Sequence, residues 1–498
     1  MRRVRTASGA TAVQIVHKRG RIVLGIDHVG SAHDEAQLAA LLEAARARLH
    51  AGQLVLPVEP AAGTGRPVGE PVIEGTASLT VWHALEGVFE SLGFDALGDE
   101  AFKSLVMGRI IEPTSKVDTL RVLAELGVPA PSRSTVTRCL QRVVERDYRT
   151  TIATACYRHV TRSSGLGLVL YDVTTLHFEA EREDGLRKVG MSKERRVDPQ
   201  VTLGLLTDRT GFPLDIHLFE GNKAETKTLI PVLTAFRDRH DVADIIVVAD
   251  AGMLSAANLL ALEDAGFRFI VGSRISKAPY DLADHFYRHG NHFTDGQTVE
   301  TARTMGVGLA ARDRRVVYQW SFKRSQHDNR AINAMVDRAE KVAAGQRPVK
   351  KDRFVTLDGA DKAVDWDLVQ RARDLAGLKG YVTNIPITTM TGQAVVAAYH
   401  DLYQVERSFR MTKSDLAARP VFHRLRDSIE AHLTIVFTAL AVSREAQART
   451  GLSIRKILTT LRPLRSATLT ISGNTITVPP RIPETSQNIL DDLSQGGH

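Results

Sequence analysis

Leu166-Gly167-Leu168-Val169-Leu170-Tyr171-Asp172-Val173 is the stretch from which the rest of the chain is best read. An apolar run of this length, too short for a stable helix, reads as a strand buried on both faces, and a carboxylate closes it. A second run, Ile245-Ile246-Val247-Val248-Ala249, ends the same way in Asp250. Open α/β sheets bind their ligands outside the strand ends, so an aspartate at each exit is placed for chemistry. The competing reading makes each aspartate a turn or cap residue, and Ala251-Gly252 after Asp250 is a turn signal.

The flanking sequence supplies the remaining strands. Gln200 to Thr207, a tight turn past Gly211, and Pro213 to Phe219 read as a hairpin. Thr226 to Asp238 and Ala256 to Ala265 are helical, and Phe267 to Val271 is the last strand. A hairpin followed by right-handed βαβ crossovers predicts an α/β fold: a mixed five-stranded sheet with helices on both faces. In it the fourth strand lies parallel beside the first, bringing Asp172 and Asp250 to one edge. Residues 275–379 interrupt the pattern and read as an insertion domain. They hold the strand-like Val316 to Phe322, a charged helical stretch from Asn329 to Val342, and the basic segment Arg347 to Arg353. Tyr381 to Asn384 resumes the core, so the catalytic core is expected over 165–274 and 380–445. Asp208, Asp215, Glu220 and Asp244 also lie in or beside strands, but face turns or partner strands in this reading.

Upstream, 1–70 reads as a small α+β unit. Thr11 to Val16 and Arg21 to Ile26 form a hairpin around Gly20, Asp34 caps a helix to Leu49, and Pro57 to Pro71 is a linker. Residues 71–164 are an N-terminal helical region. Its stretch Ser132 to Arg162 carries arginines 133, 138, 142, 146, 149, 158 and 162 against Glu145 and Asp147. Ser132-Arg133-Ser134-Thr135-Val136 resembles the start of a recognition helix, with Arg133 and Arg138 as DNA contacts, and a solvated basic face fits equally. Residues 446–498 are a C-terminal appendage, with a hairpin from Thr468 to Pro483.

With 498 residues, several domains are expected, and 43% hydrophobic with 24% charged residues describes a globular chain. No apolar run is long enough to span a bilayer, so no membrane partner is expected. Cys139 and Cys156 supply neither a zinc cluster nor a disulfide framework, pointing to a reducing cytoplasm. A net charge of +8 permits an anionic partner.

The third acid, Glu406, lies in the helical stretch Tyr399 to Lys413, seven residues from each end of it. Seven residues is two turns less about 20°, so Tyr399, Glu406 and Lys413 are expected on one helix face. An exposed helix with Glu406 paired to Arg410 competes with that reading. Two strand-end aspartates and a glutamate on a covering helix make an oxygen-rich pocket suited to Mg²⁺ or Mn²⁺.

The Tyr399, Glu406 and Lys413 spacing resembles the Y-x2-R-x3-E-x6-K signature helix of the insertion-sequence transposases of the IS-four superfamily, a branch of the DDE enzymes. Tyr171-Asp172-Val173-Thr174-Thr175 and Val248-Ala249-Asp250-Ala251-Gly252-Met253 are similar to the stretches bearing that family's two aspartates. Phe219 to Thr226 and Arg419-Pro420-Val421-Phe422-His423 also look like family stretches. The resemblance covers about Gly165 to Leu440 and departs at Leu402, which replaces the signature Arg, and at Ala251, where many members carry Arg.

The resemblance implies a ribonuclease H-like fold in which Asp172, Asp250 and Glu406 are both the catalytic acids and the ligands of two Mg²⁺ ions, with Mn²⁺ a possible substitute. It implies DNA contacts from Tyr399, Lys413 and Arg419, with Arg407 or Arg410 standing in for the missing Arg. His423 and His432 are read as structural. The implied function is binding the inverted-repeat ends of an insertion sequence, cleaving them and joining them to target double-stranded DNA. A homodimer on paired ends, in a bacterial cytoplasm at the nucleoid, follows from the same likeness. A metal-dependent nuclease without strand transfer, or a catalytically decayed DNA-binding repressor, remain the rival readings.

Overall fold

The computed structural model describes residues 1–6, 9–19, 22–49, 72–162, 165–178, 183–190, 198–224, 227–242, 244–253, 255–273, 275, 278–308, 311–348, 352–358, 361–419, 421, 423–471 and 474–495. No helix among them is long and apolar enough to cross a membrane. The chain divides into two compact units, 1–69 and 70–498.

In the first unit Arg2–Arg5, Thr11–Arg19 and Ile22–Ala32 form an antiparallel sheet in that order, followed by the helix Glu35–Leu49. Alternation along the second strand buries Val13 and Ile15 against Ala45. Asp34 caps the helix, accepting from the Gln37 amide at 2.7 Å. The turn at Gly20 and the linker expected over Pro57 to Pro71 lie outside the described residues.

The second unit begins with the strand Val72–Ala77, which pairs antiparallel with Ser466–Ile471; that strand in turn pairs with Asn474–Val478. The expected C-terminal hairpin therefore carries a third strand from the start of the unit. Helices α1 (Leu79–Ser91), α2 (Glu100–Ile111), α3 (Thr119–Leu126), α4 (Arg133–Glu145) and α5 (Tyr148–Thr161) follow. Gly127, at φ 81°, ends α3, and the Ser132 side chain caps α4 by accepting from the Thr135 amide at 3.1 Å.

The large sheet is built from β1 (Leu168–His177), β2 (Gln200–Thr207), β3 (Pro213–Glu220), β4 (Ile246–Ala249), β5 (Arg268–Ser273), β6 (Thr298–Met305), β7 (Arg312–Trp320) and β8 (Leu378–Thr383). Its order is β6-β7-β8-β5-β4-β1-β2-β3. The pairs β1/β4 and β4/β5 are parallel, and all the others are antiparallel. The five strands expected from the sequence form one contiguous block, but among the described residues the sheet has eight strands rather than five. Without β8, β7 and β6, β5 would be an open edge of unpaired backbone groups. Two of these three strands come from the 275–379 stretch. After them the same stretch packs helices α8 (Phe322–Ala343) and α9 (Trp366–Asp374) around Ile332, Val336, Phe354 and Val369. Helices α6 (Leu229–His240) and α7 (Ala256–Asp264) are the crossovers between β3 and β5.

Both faces of β1 are buried. Leu168 and Leu170 join the core that contains α2, α4 and the long helix α12 (Arg426–Thr450), whereas Val169, Tyr171 and Val173 join Leu233 and Phe236 of α6. Asp172 shares the parity of Leu170 and so faces the α12 side. That helix is buried around its whole circumference from Ala431 to Val442, with His432, Thr434 and Thr438 among otherwise apolar side chains.

The expected single helix from Tyr399 to Lys413 is two helices. α10 (Gly392–His400) and α11 (Tyr403–Ser414) are separated by a turn at Asp401-Leu402. The Leu402 amide donates to Tyr399 and the Gln404 amide to Asp401, three residues back rather than four. This tightening interrupts the regular helical ladder between Tyr399 and Glu406.

Candidate active site

β1 and β4 set the first two carboxylates. Their parallel register pairs Leu168 with Ile246, Val169 with Val247, Leu170 with Val248 and Tyr171 with Ala249. The residues that follow this last pair are Asp172 and Asp250, and only Asp250 stands at the carboxyl end of its strand. Asp172 remains within β1, opposite Leu205 of β2, while Asp250 leaves the sheet and enters the short turn Ala251–Met253.

Glu406 arrives on α11, and the β2–β3 turn holds that helix in place. The buried Ser408 hydroxyl donates to the Gly211 carbonyl at 2.7 Å. Arg209 forms a two-nitrogen ion pair with Asp401, at 2.8 and 3.0 Å, at the helix break. Arg444 of α12 donates to the Thr210 carbonyl and to Gln404. Asp208 shapes this turn by accepting from Thr210 and Phe212. Asp215 is fully buried and paired with Arg239 at 2.6 Å. Asp208 and Asp215 thus have structural partners.

A cleft of about 390 Å³ is lined by Asp172, Val173, Thr174, Glu406, Phe409, Arg410, Lys413, Ser414 and Arg419. It unites two of the three acids with three cations singled out in the sequence. Glu406 is exposed, and the ion pair with Arg410 that would make it an ordinary surface residue is not formed among the described residues. Arg407 is not part of this lining; its guanidinium donates to Gln404 at 3.3 Å. Arg133 and Arg138 lie on the exposed face of α4, opposite the buried Val136, Cys139 and Val143. Pro420 and Phe422 fall outside the described residues.

Tyr399, expected against DNA, lies inside the fold instead. It is 5% exposed, and its hydroxyl donates to Asp250 Oδ1 at 3.0 Å. Burial, then the Asp250 charge and hydrogen bond, hold the phenol far above its ordinary pKa, so it remains a donor. The Ala251 amide also donates to Asp250 Oδ1, at 2.7 Å. Among the described residues no group of three His, Cys, Asp or Glu side chains is gathered tightly enough to hold a metal ion. The Asp250 carboxylate is engaged by Tyr399 and Ala251 through Oδ1, and Oδ2 makes no hydrogen bond among the described residues. Three carboxylates of this kind form an all-oxygen donor set, which suits a hard divalent cation.

Sequence reading missed Lys379. Its ammonium lies 4.4 Å from the Tyr399 ring centroid, and that ring packs against Tyr381 at 4.8 Å. Burial and then Arg324 lower the Lys379 pKa, against the pull of Asp250 and Glu406. One cation therefore senses both acids. Only the strand character around it was readable, because the pairing of β8 with β5 that brings it to the site is non-local.

The family model of the transposase DDE domain matches residues 163–442, more than half of the chain. The chain belongs to the transposase DDE-domain family. It is a DNA transposase, an enzyme of DNA cleavage and strand transfer, and its family's chemistry uses divalent metal ions. Among solved structures, the cryo-EM structure of the piggyBac transposase synaptic complex with hairpin DNA aligns with a TM-score of 0.36 and 10% identity, over 81% of this chain and 73% of that one. No curated protein matches this transposase.

Proposed function

We propose that Asp172, Asp250 and Glu406 are the catalytic carboxylates of the transposase, on a ribonuclease H-like core of the IS-four type. The observation that supports this reading is the β1/β4 register, whose last pair, Tyr171 with Ala249, immediately precedes Asp172 and Asp250, together with the cleft that Asp172 shares with Glu406. The strand order β3-β2-β1-β4-β5, with a hairpin before the parallel crossovers, supports the ribonuclease H-like assignment.

The three carboxylates, which are not gathered closely enough as they stand, would hold two Mg²⁺ ions, or Mn²⁺ in their place, once drawn together around the DNA. Bound there, such ions supply charge stabilisation at the attacking and leaving oxygens of an in-line displacement. Lys413, Arg410 and Arg419 line the same cleft and place positive charge where a phosphodiester enters it. Tyr399 orients the Asp250 carboxylate from behind. Arg133 and Arg138 belong to the recognition of the inverted-repeat ends, Arg407 reaches the DNA backbone from the outer face of α11, and a homodimer holds the two ends together for insertion into target DNA.

Duplexes made from the DNA flanking the coding sequence, with and without a pre-cut 3′-OH end, test this reading. Asp172→Asn, Asp250→Asn and Glu406→Gln should each lower Mg²⁺-dependent nicking and end joining at least about a thousandfold while DNA binding persists. Full activity in any one of the three would remove that residue from the centre.

A further inference from the structure

A cluster of basic groups lies behind the loop that carries Arg419. Arg109, near the end of α2, is 8% exposed and makes no hydrogen bond or ion pair among the described residues. The Lys116 ammonium, in the α2–α3 connection, contacts His423 Nε2 and stands 3.3 Å from His432 Nδ1. The His423 and His432 rings are 5.5 Å apart. His432 is buried, and its Nε2 lies 3.2 Å from the Ala418 carbonyl. Nε2 must therefore carry the proton, which leaves Nδ1 as an acceptor for Lys116 and the ring neutral.

The nearby acids are already engaged. Glu112 is held by Arg121 and Arg462, Asp118 by Arg121, and Glu430 by Arg426. Burial, then Arg109, pushes the Lys116 ammonium down to about 7. Burial, then Lys116 and Arg109, pushes His423 down to about 4. No acid offsets either shift. A sequestered guanidinium with no counter-charge is costly, and the cost is removed when an anion arrives from outside.

We propose that Arg109, Lys116 and His423 form a phosphodiester-binding site for a DNA backbone phosphate next to the one held at the catalytic cleft. Lys116 and His423 are partly exposed, and Ser115 and Arg424 beside them are exposed, so the cluster opens to solvent. The connection to the cleft is covalent and short. Arg419, which lines the cleft, lies four residues before His423, and the carbonyl of the preceding Ala418 is the group that meets His432. A guanidinium fork with an ammonium matches two phosphate oxygens, where a carboxylate partner would have served a purely structural salt bridge.

This inference rests on the transposase binding DNA, and its test is independent of the three carboxylates. The full chain is titrated with a fluorescent duplex of the flanking DNA at several KCl concentrations, using wild type, Lys116→Gln and His423→Gln. Loss of one phosphate contact in Lys116→Gln should flatten the slope of log affinity against log salt by about 1. It should also leave the melting temperature of the free protein unchanged or higher, because an uncompensated charge has gone. His423→Gln should weaken binding severalfold on any sequence. An unchanged slope with a lower melting temperature in Lys116→Gln would make the lysine a structural strut and overturn the proposal. Stabilisation of wild type by inorganic phosphate, with duplex binding unaffected in both cluster variants, would mark a free-anion site and overturn it equally. If Lys116→Gln does not fold, unaltered duplex affinity in His423→Gln decides against the site.

Discussion

The Tyr399 hydroxyl donates to Asp250 Oδ1 at 3.0 Å, across 149 residues of sequence. Gly272 on β5 makes the contact possible, since a Cβ there would come within 2.7 Å of that hydroxyl and 3.0 Å of the Ala251 Cβ. Tyr399→Phe keeps the buried ring and removes only the hydrogen bond. It should cost about 1–2 kcal/mol of stability, read from the urea midpoint. Cleavage should fall about tenfold or more with duplex affinity unchanged. Loss of affinity with cleavage per bound complex intact would place the tyrosine against DNA instead.

Glu406 depends on a turn that belongs to a different part of the sheet. Gly211 has φ +84°, and a Cβ on it would meet the Gln404 carbonyl at 2.8 Å. Gly211→Ala should therefore cost about 1–3 kcal/mol through backbone strain and displace α11 as well. Ser408→Ala removes the bond to the Gly211 carbonyl and should cost about 1–2 kcal/mol. Because the two residues share one contact, the double variant should lose less than the sum of the single losses, which thermal or urea unfolding measures directly.

The arginines of 132–162 do not form one class. Arg142 places two nitrogens on Asp99 Oδ2 at 2.7 and 2.9 Å, and the Tyr148 hydroxyl donates to the same oxygen at 3.0 Å. Burial opposes the charge on Asp99, yet Arg142, the Phe102 amide and Tyr148 together hold its carboxyl below the usual range. Arg142→Ala should destabilise the fold by about 2–3 kcal/mol, because it strands a buried carboxylate. Arg133→Ala and Arg138→Ala should change stability by less than about 0.5 kcal/mol and each reduce the salt slope of DNA binding by about 1. Anisotropy titrations and melting curves on the three variants separate the classes.

The basic cluster also gives the free protein a pH signature. The groups facing one another there are Arg109, Lys116, His423, His432 and the Ala418 carbonyl. His423 titrates near 4 in the fold and near 6.5 when unfolded. Between those values the unfolded chain binds the extra proton, so stability is lost as pH falls from about 6.5 to 4. Lys116, near 7 in the fold and 10.5 when unfolded, makes stability rise with pH across that interval. His423→Gln should therefore lose less stability than wild type between pH 8 and pH 5, in urea midpoints recorded at both.

Much of the fold was readable from residue patterns. The runs ending at Asp172 and Asp250 are strands, Gln200 to Phe219 is a hairpin, and the apolar stretch from Ile429 lies within a buried helix. These features are local: a period of two, a period near four, or an unbroken apolar run states how much of each segment is buried. The extra strands were less visible. Val316 to Phe322 looks strand-like by itself, but nothing in it names β8 as its partner.

Sequence by itself determined most of the strands and helices and which of them carry the acids, because side-chain periodicity is set by backbone geometry. Tertiary structure alone decided the eight-strand order, the break at Asp401-Leu402, the inward turn of Tyr399, the arrival of Lys379 and the grouping of Lys116 with His423. Each of these depends on contacts between residues far apart in the chain. Such contacts form because one buried surface fits another, a property held jointly by two segments and carried by neither alone.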